Sequence, residues 1–292
     1  MQKVVGAAGR ALRDPRKIAR AVGWLFNGHY YRQYKARKWL QDSQVCLISF
    51  PRSGQTWLRT MLGYAVQTHY HLPDLNFYTR QQSLAAGLPM AYISHELAYR
   101  PVSYEVAMAN KQGFAGKKIL FLVRDVRDVM VSWYHYRADH RAGIDQPISE
   151  FLRSEVYGVH TTAVFHRAWY DARPLFREIL VIRYEDLQLQ PEATLTQALH
   201  FIGMNEVPPE LVRGAIQHGS FSNMQKMEQS GEIDKLQLGL NAPDTSGDRA
   251  FVRKGKIHAF HDDLTPDDLA YIDHRLDELN APKEWMYYSP AT

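Results

Sequence analysis

The sequence predicts an α/β fold in which a parallel sheet is covered by helices on both faces. Three observations point there. Val45 to Phe50, Ile119 to Val123 and Ile179 to Ile182 are near-continuous apolar runs, the pattern of strands buried on both faces. Helical segments separate these runs, and strands that alternate with helices are joined by crossovers and run parallel. The 292 residues, 45% hydrophobic and 23% charged, are enough for one large core.

The charge distribution divides the chain into a basic helical arm, 1–40, and a domain, 41–292. The arm holds ten Lys/Arg against Asp14 alone, leaving 25 basic and 30 acidic residues in the remainder. A domain with no basic excess has little to neutralise a phosphate backbone with, so no nucleic-acid partner is expected. Asp14-Pro15 opens one helical stretch of the arm, running through Leu25, and Tyr30, Tyr31, Tyr34 and Trp39 lie in a second. Val22, Trp24, Leu25 and Phe26 could insert into a membrane surface beside the cationic face, which makes peripheral membrane contact through residues 1–40 one reading. A solvated helix packed on the domain is the commoner fate of such a face. No apolar run approaches the ~20 residues that cross a bilayer. The single Cys46 allows no intrachain disulfide and suits a reducing, cytoplasmic setting.

From residue 41 the elements follow in order. The first strand precedes a helix over Trp57 to Val66, Ala91 to Ser94 is a candidate short strand, and a helix begins near Asp125 after the second long strand. Thr161 to Ala172 is helical before the third, and Pro191 to Ile202 stops at Gly203. Thr265-Pro266-Asp267-Asp268 supplies an N-cap, a first-turn Pro and an acidic third position for a last helix to Leu279. Gly231 to Arg249, rich in Gly, Pro and Asp, reads as a loop able to move over a ligand.

Three clusters carry anion chemistry. In Phe50-Pro51-Arg52-Ser53-Gly54-Gln55-Thr56-Trp57 a strand turns into a helix, so free backbone N–H groups and the positive helix end face a bound anion, with Arg52, Ser53 and Thr56 as further donors. The spacing is not that of a Walker A loop, and a plain strand-to-helix turn uses the same residue types. In Val123-Arg124-Asp125-Val126-Arg127-Asp128-Val129-Met130-Val131-Ser132 a strand ends at Arg124 and Ser132 lies about two helical turns on. Both can reach one phosphate at the sheet edge. The third cluster is Arg253-Lys254-Gly255. No His pair has zinc spacing, and no metal is expected.

These segments resemble, in order, the cofactor-binding elements of the cytosolic-type sulfotransferases. Pro51 to Trp57 is similar to the family's 5′-phosphosulfate loop, usually Pro-Lys-Ser-Gly-Thr-Thr-Trp. Arg124 and Ser132, eight apart, match its 3′-phosphate motif, and Phe251-Val252-Arg253-Lys254-Gly255 its C-terminal element. Tyr184-Glu185-Asp186-Leu187 and His218 to Met224 fall in the same order. The resemblance implies a sulfotransferase that uses 3′-phosphoadenosine 5′-phosphosulfate (PAPS), built on a P-loop-like parallel sheet of about five strands covered by helices on both faces. It implies cofactor contacts from Arg52, Ser53, Gly54, Gln55, Thr56, Trp57, Arg124, Ser132, Tyr184, Phe221, Met224, Arg253, Lys254 and Gly255. It assigns catalysis to His95 as general base, matched through Ile93-Ser94-His95, together with Arg52 and Ser132. A neutral-range His95 pKa is expected for that role. Phe77, Tyr78, His95, Tyr157 and His160 would line a pocket for a small-molecule acceptor with a hydroxyl or amine.

Three positions depart from the family pattern. Arg52 replaces its Lys, Ile93 replaces a Lys two before the His, and His258-Ala259-Phe260-His261 stands where Gly-Asp-Trp-Lys is usual. Competing readings are a nucleotide-dependent kinase of related fold, disfavoured by the absent Walker Lys, and an inactive membrane- or protein-binding module on the same fold.

Overall fold

The computed structural model describes residues 36–73, 77–140, 146–233 and 255–288. The chain separates into two units, Met1–Asp42 and Ser43–Thr292. Of the first, residues 36–42 are helical, and the rest of the basic arm lies outside the described residues. Most of the proposed moving loop, 231–249, lies outside them as well.

The second unit carries strands β1 (Val45–Ser49), β2 (Ala91–Ser94), β3 (Lys118–Val123) and β4 (Glu178–Arg183). Its helices are α1 (Gln55–His69), α2 (Arg80–Ala85), α3 (Tyr104–Asn110), α4 (Val126–His140), α5 (Ile148–Arg153), α6 (Val159–Asp171), α7 (Tyr184–Leu189), α8 (Pro191–Phe201), α9 (Pro209–His218), α10 (Phe221–Gln229), α11 (Pro266–Glu278) and α12 (Lys283–Met286). The sheet order is β2-β1-β3-β4 and every pairing is parallel, with Val45 opposite both Ala91 and Lys118, and Lys118 opposite Glu178. Four strands are present among the described residues, against the about five expected.

The continuous apolar runs have the reason inferred for them. Alternate strand residues Leu47, Leu120, Leu122 and Ile182 pack on Leu58, Leu62, Leu195, Leu199 and Val212 from α1, α8 and α9. Phe121 points to the other face, where Phe165 and Trp169 of α6 and Trp285 of α12 surround it at centroid distances of 5.0–6.0 Å. Both faces of the central strands β1 and β3 are therefore dry, while the edge strands β2 and β4 are mostly half-buried. The helices predicted at 57–66, 161–172, 191–202 and up to 279 are present within a few residues, and α11 opens with the expected capping box between Thr265 and Asp268.

Parallel register places the C-terminal ends of all four strands on one edge of the sheet. The chain leaves β1 for β2 on one side and reaches β3 on the other, so β1 and β3 flank the topological switch point, where open α/β sheets bind ligands. Among the described residues no helix is long and apolar enough to cross a membrane.

Candidate active site

A cavity of about 760 Å³ opens along that edge. Its wall includes Arg52, Gly54, Gln55, Thr56 and Trp57 from the first cluster, His95 after β2, Arg124 and Ser132 from the second cluster, Tyr184 after β4, and Phe221, Met224 and Gly255. The structure thus gathers most of the sequence-predicted site residues, from Arg52 to Gly255, on one cavity.

The loop after β1 depends on two positive backbone angles, Arg52 at φ 70° and Gly54 at φ 95°. Gly54 is required twice over. Its φ disfavours any side chain, and a Cβ there would lie 2.6 Å from Cδ2 of Tyr184. As N-cap of α1, Gly54 offers no side-chain acceptor, and the first turn contains no acid. The leading N–H groups and the helix dipole are left for an anion in the cavity.

Arg52 Nε donates to Ser132 Oγ at 3.1 Å, and its guanidinium lies 5.0 Å from the ring centre of Tyr136, itself stacked on Trp133. Arg124 reaches the same loop, donating from Nη1 to the Arg52 carbonyl at 3.3 Å and from Nη2 to the Lys256 carbonyl at 3.4 Å. Its nearest carboxylate, Asp128, is 3.8 Å away, and its Nε is buried without a hydrogen-bond partner among the described residues. A guanidinium with long bonds and an orphaned donor has capacity for an incoming oxyanion. With the uncapped α1 end it supplies two anion sites in one cavity, as a ligand with two separated phosphate-type groups requires.

Trp57 Nε1 donates to the Gly219 carbonyl at 2.6 Å, and its ring meets Tyr184 edge-on at 5.3 Å. Tyr184 also lies under the Arg124 guanidinium at 4.3 Å. Gln188 Nε2 donates both to the Tyr184 hydroxyl and to the Gly255 carbonyl. Gly255, at φ 60°, sits where a Cβ would lie 2.8 Å from the Phe221 ring.

His95 follows β2 and is half-buried. Its Nδ1 is 2.9 Å from the Ser49 carbonyl oxygen, which can only accept. Nδ1 therefore carries the proton, and Nε2 keeps the lone pair that a base uses. Burial is the main influence on its pKa. With the charges of Arg59 and Arg52 it outweighs the Ser49 carbonyl and pulls the value down to about 4. The neutral-range pKa expected from sequence does not hold: desolvation keeps this imidazole neutral well below pH 6.5. Gln55 Nε2 donates to Ser49 Oγ and to the Ser94 carbonyl, both at 3.2 Å, tying the ends of β1 and β2 beneath His95.

Several of the expected residues do not line the cavity or lie outside the described residues. Ser53 does not line the cavity; it is fully buried, and its hydroxyl has no hydrogen-bond partner among the described residues. Phe77 packs with Met224, Met227 and Ile233, and Tyr78 lies in the main core, so neither is among the described lining residues. Tyr157 stacks on Arg137, and His160 sits between Glu155 and Arg275, both away from the cavity wall. Arg253 and Lys254 lie outside the described residues.

Three buried carboxylates were missed. Asp128 accepts the backbone N–H groups of His258 and Phe260 at 2.9 and 3.0 Å, clamping the departing segment His258-Ala259-Phe260-His261 to the start of α4. Asp125 holds Arg127 through two bonds, and Glu185 accepts the Asp125 N–H at 2.9 Å. Burial pushes the carboxyls of Asp128 and Glu185 above their usual range. A carboxylate just past the apolar run of a buried strand, Asp125 after 119–123 and Glu185 after 179–182, was the available signal.

A parallel sheet with two anion sites and a fixed neutral imidazole on one edge defines a group-transfer enzyme of P-loop-like architecture. Residues 42–287 match the sulfotransferase domain, and the chain belongs to that family: it is a sulfotransferase. Cytosolic sulfotransferase 12 of Arabidopsis thaliana is 23% identical to it over 273 residues, covering 82% of this chain and 77% of that protein. Flavonol 3-sulfotransferase of Flaveria bidentis is 23% identical, covering 81% of each. The solved structure of mouse sulfotransferase SULT7A1 complexed with PAP aligns over 85% of this chain and 86% of that one, with a TM-score of 0.51 at 21% identity, and shows the shared fold.

Proposed function

We propose that this sulfotransferase draws the sulfuryl group from PAPS and delivers it to a hydroxyl or amine of a small-molecule acceptor. The observation that carries this reading is the convergence of the uncapped α1 end with Arg52, of Arg124, and of His95 on one cavity. Bound PAPS supplies an activated sulfuryl group on a phosphate leaving group.

Arg52 and the first N–H groups of α1 hold and neutralise the 5′ side, while Arg124 with Ser132 holds the 3′-phosphate. Trp57, Tyr184, Phe221 and Met224 offer aromatic and apolar surface for the base, and Gly255 permits close approach of its backbone. Arg253 and Lys254 are assigned to cofactor binding from the sequence resemblance alone. His95 Nε2 removes the acceptor proton, for which its neutral form is the competent one. Transfer of this kind passes through a loose transition state with charge on peripheral oxygens, so positioned cations are the protein's main contribution. The flavonol named for the Flaveria relative supports a small hydroxyl acceptor here.

Calorimetry with adenosine 3′,5′-bisphosphate (PAP) and with ATP tests the nucleotide, and radiolabelled PAPS with a panel of phenols, alcohols and amines tests the reaction. PAP is expected to bind and raise the melting temperature while ATP does not. Stabilisation by ATP alone would transfer the assignment to the kinase reading.

A further inference from the structure

Arg59 is a cavity-lining cation outside both anion sites. It stands four residues after Gln55 on α1, so the two side chains share one helix face. Gln55 bonds to Ser49 Oγ and the Ser94 carbonyl, which shows that this face looks onto the ends of β1 and β2, where His95 follows. Trp57 is turned the other way, toward Gly219. Arg59 therefore lies on the His95 side of the cavity, whose lining also includes Ile93 and Ser94.

Its Nε donates to the Tyr78 carbonyl at 3.0 Å, which anchors the guanidinium from the segment before α2. No other hydrogen bond and no ion pair engages Arg59 among the described residues. Burial pulls its pKa down to about 10, with no neighbouring charge offsetting the desolvation. Its positive charge in turn helps to keep His95 unprotonated. A desolvated guanidinium without a counter-charge costs stability, and its planar fork fits a carboxylate through two bonds.

We infer that Arg59 recognises the acceptor, and that the acceptor carries a carboxylate in addition to the hydroxyl or amine that receives the sulfuryl group. The inference rests on the proposed function above, because it takes the His95 side as the acceptor's place. It narrows the acceptor class to acidic molecules: the carboxylate seats on Arg59, and the body of the molecule lies along Ile93 toward His95.

The test uses the full chain saturated with PAP and titrates it calorimetrically with 3-(4-hydroxyphenyl)propionate and with the corresponding neutral amide. The carboxylate should bind about tenfold tighter than the amide, as a charge-assisted pair to a buried guanidinium warrants. That preference should vanish in Arg59→Gln, which keeps an N–H for the Tyr78 carbonyl, and return in part in Arg59→Lys. The PAP affinity of Arg59→Gln should change by less than about threefold, showing a folded protein with an intact nucleotide site. With PAP bound, absence of any carboxylate preference in the wild type, including failure of both probes to bind, overturns the inference. So does a preference that survives in Arg59→Gln. Failure of PAP itself to bind the wild type is a separate result and overturns the nucleotide reading.

Discussion

Arg52 and Ser132, 80 residues apart, meet through a 3.1 Å hydrogen bond from Nε to Oγ, which joins the loop after β1 to α4. The two anion sites are thereby coupled in one cavity. Arg52→Ala is expected to lower kcat by about 10²-fold, since a positioned cation at the developing charge is lost. Arg52→Lys keeps the charge but loses the Nε bond to Ser132 and the planar stack on Tyr136, so a smaller loss of about tenfold is expected. Steady-state kinetics decide this, and equal losses in the two variants would show that the charge itself contributes nothing.

Arg124 has an orphaned buried donor and only long bonds to carbonyls, which leaves it free to turn toward a phosphate. Arg124→Ala should weaken PAP binding by about 2 kcal/mol or more. Adenosine 5′-phosphosulfate, which lacks the 3′-phosphate, should lose much less. Isothermal titrations of both ligands would refute the assignment if the losses were equal.

His95→Asn should leave PAP affinity near wild type and reduce kcat by about 10²-fold or more, because proton removal occurs only in the transition state. The pH profile adds a second check. With the folded pKa lowered to about 4, the competent neutral imidazole persists well below pH 6.5, so the acid limb of kcat/KM should fall nearer pH 4 than 6.5. The same shift affects stability. Between the folded pKa and the unfolded value of about 6.5 the unfolded chain binds more protons, so the His95 contribution is intact above pH 6.5 and declines as pH falls toward 4. An acid limb at 6.5 or above would show that desolvation does not govern this imidazole.

Gly54→Ala places a methyl group 2.6 Å from Tyr184 Cδ2 at a backbone angle of φ 95°. The variant should lose about 2 kcal/mol or more of stability from the clash and the strained angle together. PAP binding should weaken as well, because Tyr184 is displaced from beneath Arg124. Urea denaturation and titration measure the two effects, and a variant of wild-type stability would mean that the loop relaxes without cost.

Local pattern carried much of this architecture. The runs at 45–50 and 119–123 are near-continuously apolar because both sheet faces are covered there, whereas 179–182 is as apolar on a half-buried edge strand, and the Thr265 capping box and the stop before Gly203 act over four or five residues. Helices α9 and α10, unlike these, were not read from the sequence. The Arg52 and Arg124 clusters were legible because a strand end, a helix start and a basic residue are adjacent in the chain, and a fixed order of such segments identifies a family. Arg59 was not, since one Arg on an otherwise ordinary helix carries no sign of which way its face is turned.

What the amino-acid sequence determined by itself was the alternation of strands and helices and the chemistry available at each strand end, both set by neighbouring residues. What only the tertiary structure decided was who meets whom: Arg52 with Ser132, Gln55 with the ends of β1 and β2, Asp128 with His258 and Phe260. It also decided that Ser53, Phe77 and Tyr78 turn into the interior, that His95 is held neutral with its Nδ1 on the Ser49 carbonyl, and that Arg59 lines the cavity with no ion pair among the described residues. The physical reason is that burial and desolvation are properties of packing. They depend on parallel register and on crossovers that join residues dozens to hundreds of positions apart, and spacing along the chain holds no record of them.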